Sequence, residues 1–186
     1  MQIRSLDIPD VLLIEPVRHG DARGFFSETY SRNALAAAGF DQEFVQDNHS
    51  RSSRRGTLRG LHFQQPPYAQ DKLLRVTRGA ILDVAVDVRK GSPTYGRHVA
   101  VELSEENWRQ LLVPKGFAHG FQTLTDDCEV LYKVTGYYAP EAERGVLWND
   151  PALGIDWPLT TEAFLNARDQ SWPLLADLPP AFDYAG

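Results

Sequence analysis

The chain reads as a mainly β protein, a sandwich or barrel of short strands. Three observations lead there. Short apolar or alternating segments recur from Val11 to Tyr138. Glycine or proline punctuates most of their joints, as at Gly56, Pro66-Pro67, Gly79, Gly91-Ser92-Pro93 and Pro114-Lys115-Gly116. Only one well-marked helix interrupts the series. Many short strands between turn signals favour antiparallel sheets packed face to face or closed on themselves.

The first strand is expected over Val11–Ile14, an unbroken apolar run, and the second over Phe25–Tyr30. The helix follows, with Ser31 as its N-cap, Ala34-Leu35-Ala36-Ala37-Ala38 as its body and Gly39 as its stop. Strands then recur over Phe44–His49, Thr57–Gln64, Lys72–Thr77, Ala80–Val88, Val99–Leu103, Gln110–Val113, Ala118–Leu124 and Val130–Tyr138. Ala80–Val88 alternates most clearly: Leu82, Val84, Val86 and Val88 share one face, and Ile81, Asp83, Ala85 and Asp87 the other. From about Tyr138 the chain is rich in proline and tryptophan and reads as an irregular tail packed on the strands, with a short helix near Thr161–Ala167. No internal repeat or linker divides it, so residues 1–186 are expected to form one domain.

Composition narrows the function. Apolar residues are 42% and charged residues 24%, an ordinary globular balance. No apolar run nears the ~20 residues of a membrane span, and Met1–Asp7 lacks the apolar core of a signal peptide. A single cysteine, Cys128, excludes an intrachain disulfide, and its Asp126-Asp127 neighbours disfavour a reactive thiolate. Both facts fit a cytoplasmic protein. The net charge of −6 argues against general nucleic-acid binding. Between Arg51 and Arg78, however, seven basic residues face one acid, a local +6 that leaves −12 for the rest. That window suits either a solvated patch or a site for an anionic small molecule.

Within the window, Thr57–Gln64 carries His62 two residues after Gly60, and Lys72 opens the next strand. A base that titrates near neutrality and a cation able to hold a negative oxygen thus lie on consecutive strands, a pairing that suits proton abstraction beside a carbonyl. Taken singly, a strand histidine is more often structural, Lys72 reads as surface, and Tyr132, in step with Val130 and Val134, reads as core.

Longer motifs carry a resemblance. Gln46-Asp47-Asn48-His49-Ser50, Leu58-Arg59-Gly60-Leu61-His62-Phe63-Gln64, Lys72-Leu73, Asp83–Arg89, Val113–Phe121 and Trp148-Asn149-Asp150-Pro151 occur in one order and spacing. In these the chain resembles the dTDP-4-dehydrorhamnose 3,5-epimerase family, from about Ile8 to Leu175. The resemblance implies a double-stranded β-helix, or jelly roll, of cupin type, a homodimer, and a thymidine-diphosphate 4-keto-6-deoxy sugar as substrate, with no cofactor and no metal. It implies His62 as the base, Lys72 as the cation facing the enolate oxygen, Tyr132 as the acid on the opposite face, and Asp169 as the carboxylate paired with the base. Arg23, Glu28, Gln46, Asn48, Arg59, His119, Tyr138, Glu143 and Arg168 match positions that line the substrate pocket, and Phe25 is a plausible stacking partner. The partner subunit's N-terminal strands are implied to help complete each site. Asn166 and Arg168 stand where serine and lysine are common in the family, and the turn at 51–56 varies.

One spacing conflicts with a regular strand. Arg59 and His62 are an odd number of positions apart, yet both should serve one pocket, so a bulge or kink is expected near Gly60. Rival readings remain open. A metal-dependent cupin would use His119, in Pro114–His119, but needs a second histidine where Gln64 stands. A non-catalytic sugar-nucleotide module would not need His62, Tyr132 and Asp169. Relatives that epimerise only C3 or only C5 share the same residues.

Overall fold

The computed structural model describes residues 1–184. Its strands, in chain order, are β1 (Gln2–Ser5), β2 (Leu12–Glu15), β3 (Arg18–Asp21), β4 (Gly24–Ser27), β5 (Gln46–Ser52), β6 (Leu58–Gln64), β7 (Lys72–Arg78) and β8 (Ala80–Asp87). They continue with β9 (Arg89–Lys90), β10 (His98–Ser104), β11 (Gln110–Val113), β12 (Phe117–Thr123), β13 (Cys128–Val134), β14 (Glu143–Gly145) and β15 (Phe182–Asp183). The one α-helix among the described residues, α1 (Arg32–Ala37), begins at Ser31, whose hydroxyl accepts from the Ala34 N–H at 3.4 Å.

Two sheets carry the architecture, in the orders β1-β2-β11-β7-β13-β5 and β10-β8-β12-β6-β14. All pairs within them are antiparallel, and neighbours in space are mostly distant in sequence, as a jelly roll requires. The alternation in β8 shows how the layers form. Ile81 and Ala85 point between the sheets, into a core with Leu13, Leu74, Val76, Leu103, Leu111, Phe117, Phe121 and Val130. Val84, Val86 and Val88 point outward, under Val146, Leu153, Trp157 and Leu175 of the tail. The outer face of the other sheet is covered by Leu35 of α1 with Tyr30, Phe40 and Phe44, which pack on Ile14, Leu73 and Leu112. Apolar clusters therefore lie on both faces of the central strands.

The sequence reading differs from the structure in several places, and it does not foresee the short strands β1, β3, β9 and β15. The Phe25–Tyr30 strand is shorter and belongs to a separate hairpin, β3–β4. The last long strand begins at Cys128 and ends at Val134, because Asp71 and Thr135 exchange hydrogen bonds there and turn the chain away. Thr161–Ala167 is not a helix. A single 3₁₀ turn, Thr160–Glu162, precedes a stretch in which Phe164 bonds to Gly56 and Leu58. Strand β14 has no apolar alternation and exists because the β6 edge offers Gln64, Phe63 and His62 as partners.

The bulge expected near Gly60 is present. His119 pairs with His62 and Phe121 with Arg59, so three steps on β6 face two on β12. Gly60 has φ +123°, and a Cβ there would meet the Gly120 Cα at 2.5 Å and the His119 carbonyl oxygen at 2.6 Å. Only glycine permits this approach.

Candidate active site

Where the core between the sheets turns polar, it opens into a cavity of about 460 Å³. Gln46, Asn48 and Ser50 enter it from β5, Arg59, His62 and Gln64 from β6, Lys72 and Leu74 from β7, His119 and Phe121 from β12, and Tyr132 from β13. Each set except that of β6 follows the two-residue period of one strand face, and the bulge brings Arg59 and His62 to the same side. The tail contributes Tyr138, Glu143, Asn166, Arg168 and Asp169.

Burial and neighbouring charge set the protonation states. The His62 ring is held well below the usual histidine value, first by burial and then by the positive charges of Lys72, His119 and Arg168. It is a neutral base at pH 7. Burial lowers Lys72 to about 8 against the opposing pull of Asp83 and Glu143, so it is mostly charged at pH 7. Both side chains keep part of their surface toward the cavity. Burial raises the Tyr132 phenol, with Arg59 opposing, so it stays protonated. The trio is thus an empty base, a cation and a loaded acid on three adjacent or facing strands.

Asp169 is 1% exposed; burial raises its carboxyl, against the Gly60 N–H and Arg168. Its Oδ2 accepts from that N–H at 3.2 Å; its Oδ1 has no hydrogen-bond partner among the described residues and lies 3.9 Å from Arg168 Nε. Asp169 and His62 line one cavity, and no hydrogen bond joins them directly. At the mouth, the Tyr138 hydroxyl donates to Glu143 Oε2 at 2.8 Å, and Arg168 Nη1 donates to the same oxygen at 2.5 Å.

Three of the residues matched by resemblance lie outside this cavity. Arg23 is on the β3–β4 turn, its side chain 89% exposed and paired with Asp21. Phe25 is 60% exposed and packs edge-on against Trp108 at 4.8 Å. Glu28 lines a neighbouring groove with Tyr30, Asp47 and Arg75. The basic window also divides: Arg51 pairs with Asp127, Arg55 with Glu162, and Arg54 lies over Phe164; Arg75 lines the neighbouring grooves and Arg78 is exposed, so Arg59 and Lys72 serve the cavity.

Sequence reasoning missed Asp83 as a site residue. It is fully buried and lies 2.6 Å from His119 Nε2, behind the cavity wall. Its signal was legible: it is the one carboxylate between Ile81 and Ala85 on the inward face of β8. Ser50, with a buried hydroxyl lacking a partner among the described residues, and Gln70 were missed as well.

A family model described as dTDP-4-dehydrorhamnose 3,5-epimerase matches residues 5–177. The chain belongs to the dTDP-4-dehydrorhamnose 3,5-epimerase family. A relative of that name from Sinorhizobium fredii is 53% identical over 184 residues, 99% of this chain and 94% of the relative. The crystal structure of a dTDP-6-deoxy-D-glucose-3,5-epimerase from Legionella pneumophila, in complex with dTDP-4-keto-L-rhamnose, superposes with a TM-score of 0.94 at 44% identity, covering 100% of this chain and 99% of that one. ChmJ, a 3′-monoepimerase from Streptomyces bikiniensis solved with dTDP-quinovose, superposes at 0.87 with 40% identity over 93% and 87% of the two chains. The chain is therefore an isomerase of the epimerase class with the jelly-roll fold of that family.

Proposed function

We propose that this chain epimerises C3 and C5 of dTDP-4-dehydro-6-deoxy-D-glucose, giving dTDP-4-dehydro-L-rhamnose in dTDP-rhamnose biosynthesis. The observation that carries the reading is the convergence of His62, Lys72 and Tyr132 on one cavity in the protonation states the reaction needs. The hydrogens on C3 and C5 are acidified by the C4 ketone. His62 takes one, and the bonding pair moves onto the ketone oxygen as an enolate. Because burial makes His62 a weak base, stabilisation of that oxygen by the Lys72 ammonium carries much of the barrier lowering. Tyr132 then gives its proton to the opposite face of the same carbon, which inverts it; His62 releases the proton it took to water and Tyr132 regains one from water, which resets base and acid. Asp169 Oδ1 is the acceptor offered to His62 once it is protonated. No step here requires a cofactor or a metal.

The nucleotide diphosphate is held at the mouth. Arg59 and Arg168 supply guanidinium donors, Gln46, Asn48 and Glu143 supply polar edges, and Tyr138 supplies an aromatic face. His119, braced by Asp83, borders the sugar. Arg23, Phe25 and Glu28 reach a cavity in a second copy of the chain, as a homodimer. In support, the β3–β4 ribbon is too small to be stable alone and exposes Phe25 and Phe26, the latter at 71%. Residues 1–186 act as one epimerase domain, working in the cytoplasm. No helix among the described residues is long and apolar enough to cross a membrane.

A Tyr132→Phe variant separates the two half-reactions. It is expected to exchange the C3 and C5 hydrogens with solvent at near wild-type rate while net inversion falls about 10²-fold. Loss of both together would remove Tyr132 from the acid role.

A further inference from the structure

The reaction leaves Gln64 unused. It stands where a metal-dependent cupin would carry a histidine, and it is only 6% exposed. Its carboxamide is fully engaged with backbone. Nε2 donates to the Tyr68 carbonyl at 2.7 Å and the Tyr137 carbonyl at 3.1 Å, and Oε1 accepts from the Ala139 N–H at 2.6 Å. Two of these groups belong to the residues on either side of Tyr138. Strand β13 has ended at Val134, so residues 135–139 have no ladder of their own. Gln70 adds a second tie, donating to the Gly136 carbonyl at 2.5 Å. The far end of the Tyr138 ring is fixed through its hydroxyl to Glu143, which faces Gln64 directly across the β6–β14 ladder. The ring itself is 56% exposed at the cavity mouth.

We propose that Gln64 is a positioning residue of the nucleotide end: by holding the backbone on both sides of Tyr138, it sets the plane of the aromatic face on which the thymine rests. This rests on the substrate reading above. The position needs an acceptor and two donors on one planar group, which a carboxamide supplies. Glutamate would keep the acceptor and turn the donors into a charge facing two carbonyls; methionine would offer neither.

The test uses the full chain with Gln64→Met and Gln64→Glu. Both are expected to raise KM for the dTDP-sugar and Kd for dTDP itself about tenfold, with kcat within about threefold. Amide hydrogen exchange should accelerate in residues 136–140. In a Tyr138→Ala background, Gln64→Met should add less than about twofold, because the ring through which it acts is gone. The same loss in both backgrounds, a fall in kcat without a change in KM, or unchanged exchange in 136–140 would overturn the proposal. If Gln64→Met is not recovered folded, Gln64→Glu carries the same comparison. A wild-type chain that binds no dTDP would instead overturn the substrate reading, and the exchange data would still judge the clamp.

Discussion

The reacting end of the cavity and its mouth are built on different physical terms. At the reacting end, His62, Lys72, His119 and Tyr132 sit on strands with neighbours paired on both sides and apolar layers above and below. Their positions are set by ladders, and burial tunes their charge. At the mouth, Tyr138, Glu143 and Arg168 come from the loop after β13, a three-residue edge strand and an irregular tail. The β3–β4 ribbon with Arg23 and Phe25 lies further out still. These groups are held by side-chain bonds such as Tyr138–Glu143–Arg168. The contrast suggests a division of labour: a rigid end that fixes the geometry of proton transfer, where misplacement costs most, and a bonded rim that recognises the nucleotide.

If that division is right, substitutions at the rigid end should cut kcat and those at the rim should raise KM. The largest effect is expected from His62→Ala, which should lower kcat about 10²–10⁴-fold with KM little changed, measured by steady-state turnover of the dTDP-4-keto sugar. A smaller but more diagnostic effect concerns pH. The base works only when unprotonated, above a His62 value that lies well below 6.5. The cation works only when protonated, below about 8. The kcat profile should therefore be flat through neutrality and fall above about pH 8. Lys72→Arg, which stays charged, should move that alkaline limb upward even as it lowers the plateau; an unmoved limb would assign it to another group. At the rim, Arg23→Ala should raise KM roughly tenfold at nearly constant kcat. Phe26→Ser should weaken the proposed dimer in sedimentation and raise KM in step. A variant that turned monomeric with KM unchanged would break the link between hairpin and site.

The same division explains what could be read from the chain. The strands that build the rigid end announce themselves by alternation, and the helix by Ser31 and Gly39; the odd spacing of Arg59 and His62 points to the bulge once the resemblance puts both in one pocket. His62 and Lys72 could be paired because consecutive strands carry them. Tyr138, Glu143, Arg168 and Asp169 carry no such signal: they lie on segments with no period, brought to the cavity by tail packing, and only the family resemblance attached them. Glu143 shows why: it sits on a three-residue strand at a sheet edge, which has no pattern to show. Arg23 and Phe25 are harder again, because they lie on an exposed hairpin outside their own chain's cavity. The tail helix failed for the converse reason, a fair local pattern overridden by the bonds of Phe164 to Gly56 and Leu58.

The central claim is that one base and one cation act beside a single ketone on both flanking carbons. Incubating the chain with dTDP-4-dehydro-6-deoxy-D-glucose in heavy water and locating deuterium by NMR tests it most directly. Deuterium at both C3 and C5 of the product, abolished by His62→Ala, is the expected result. Deuterium at one carbon alone, or incorporation that survives His62→Ala, would contradict it.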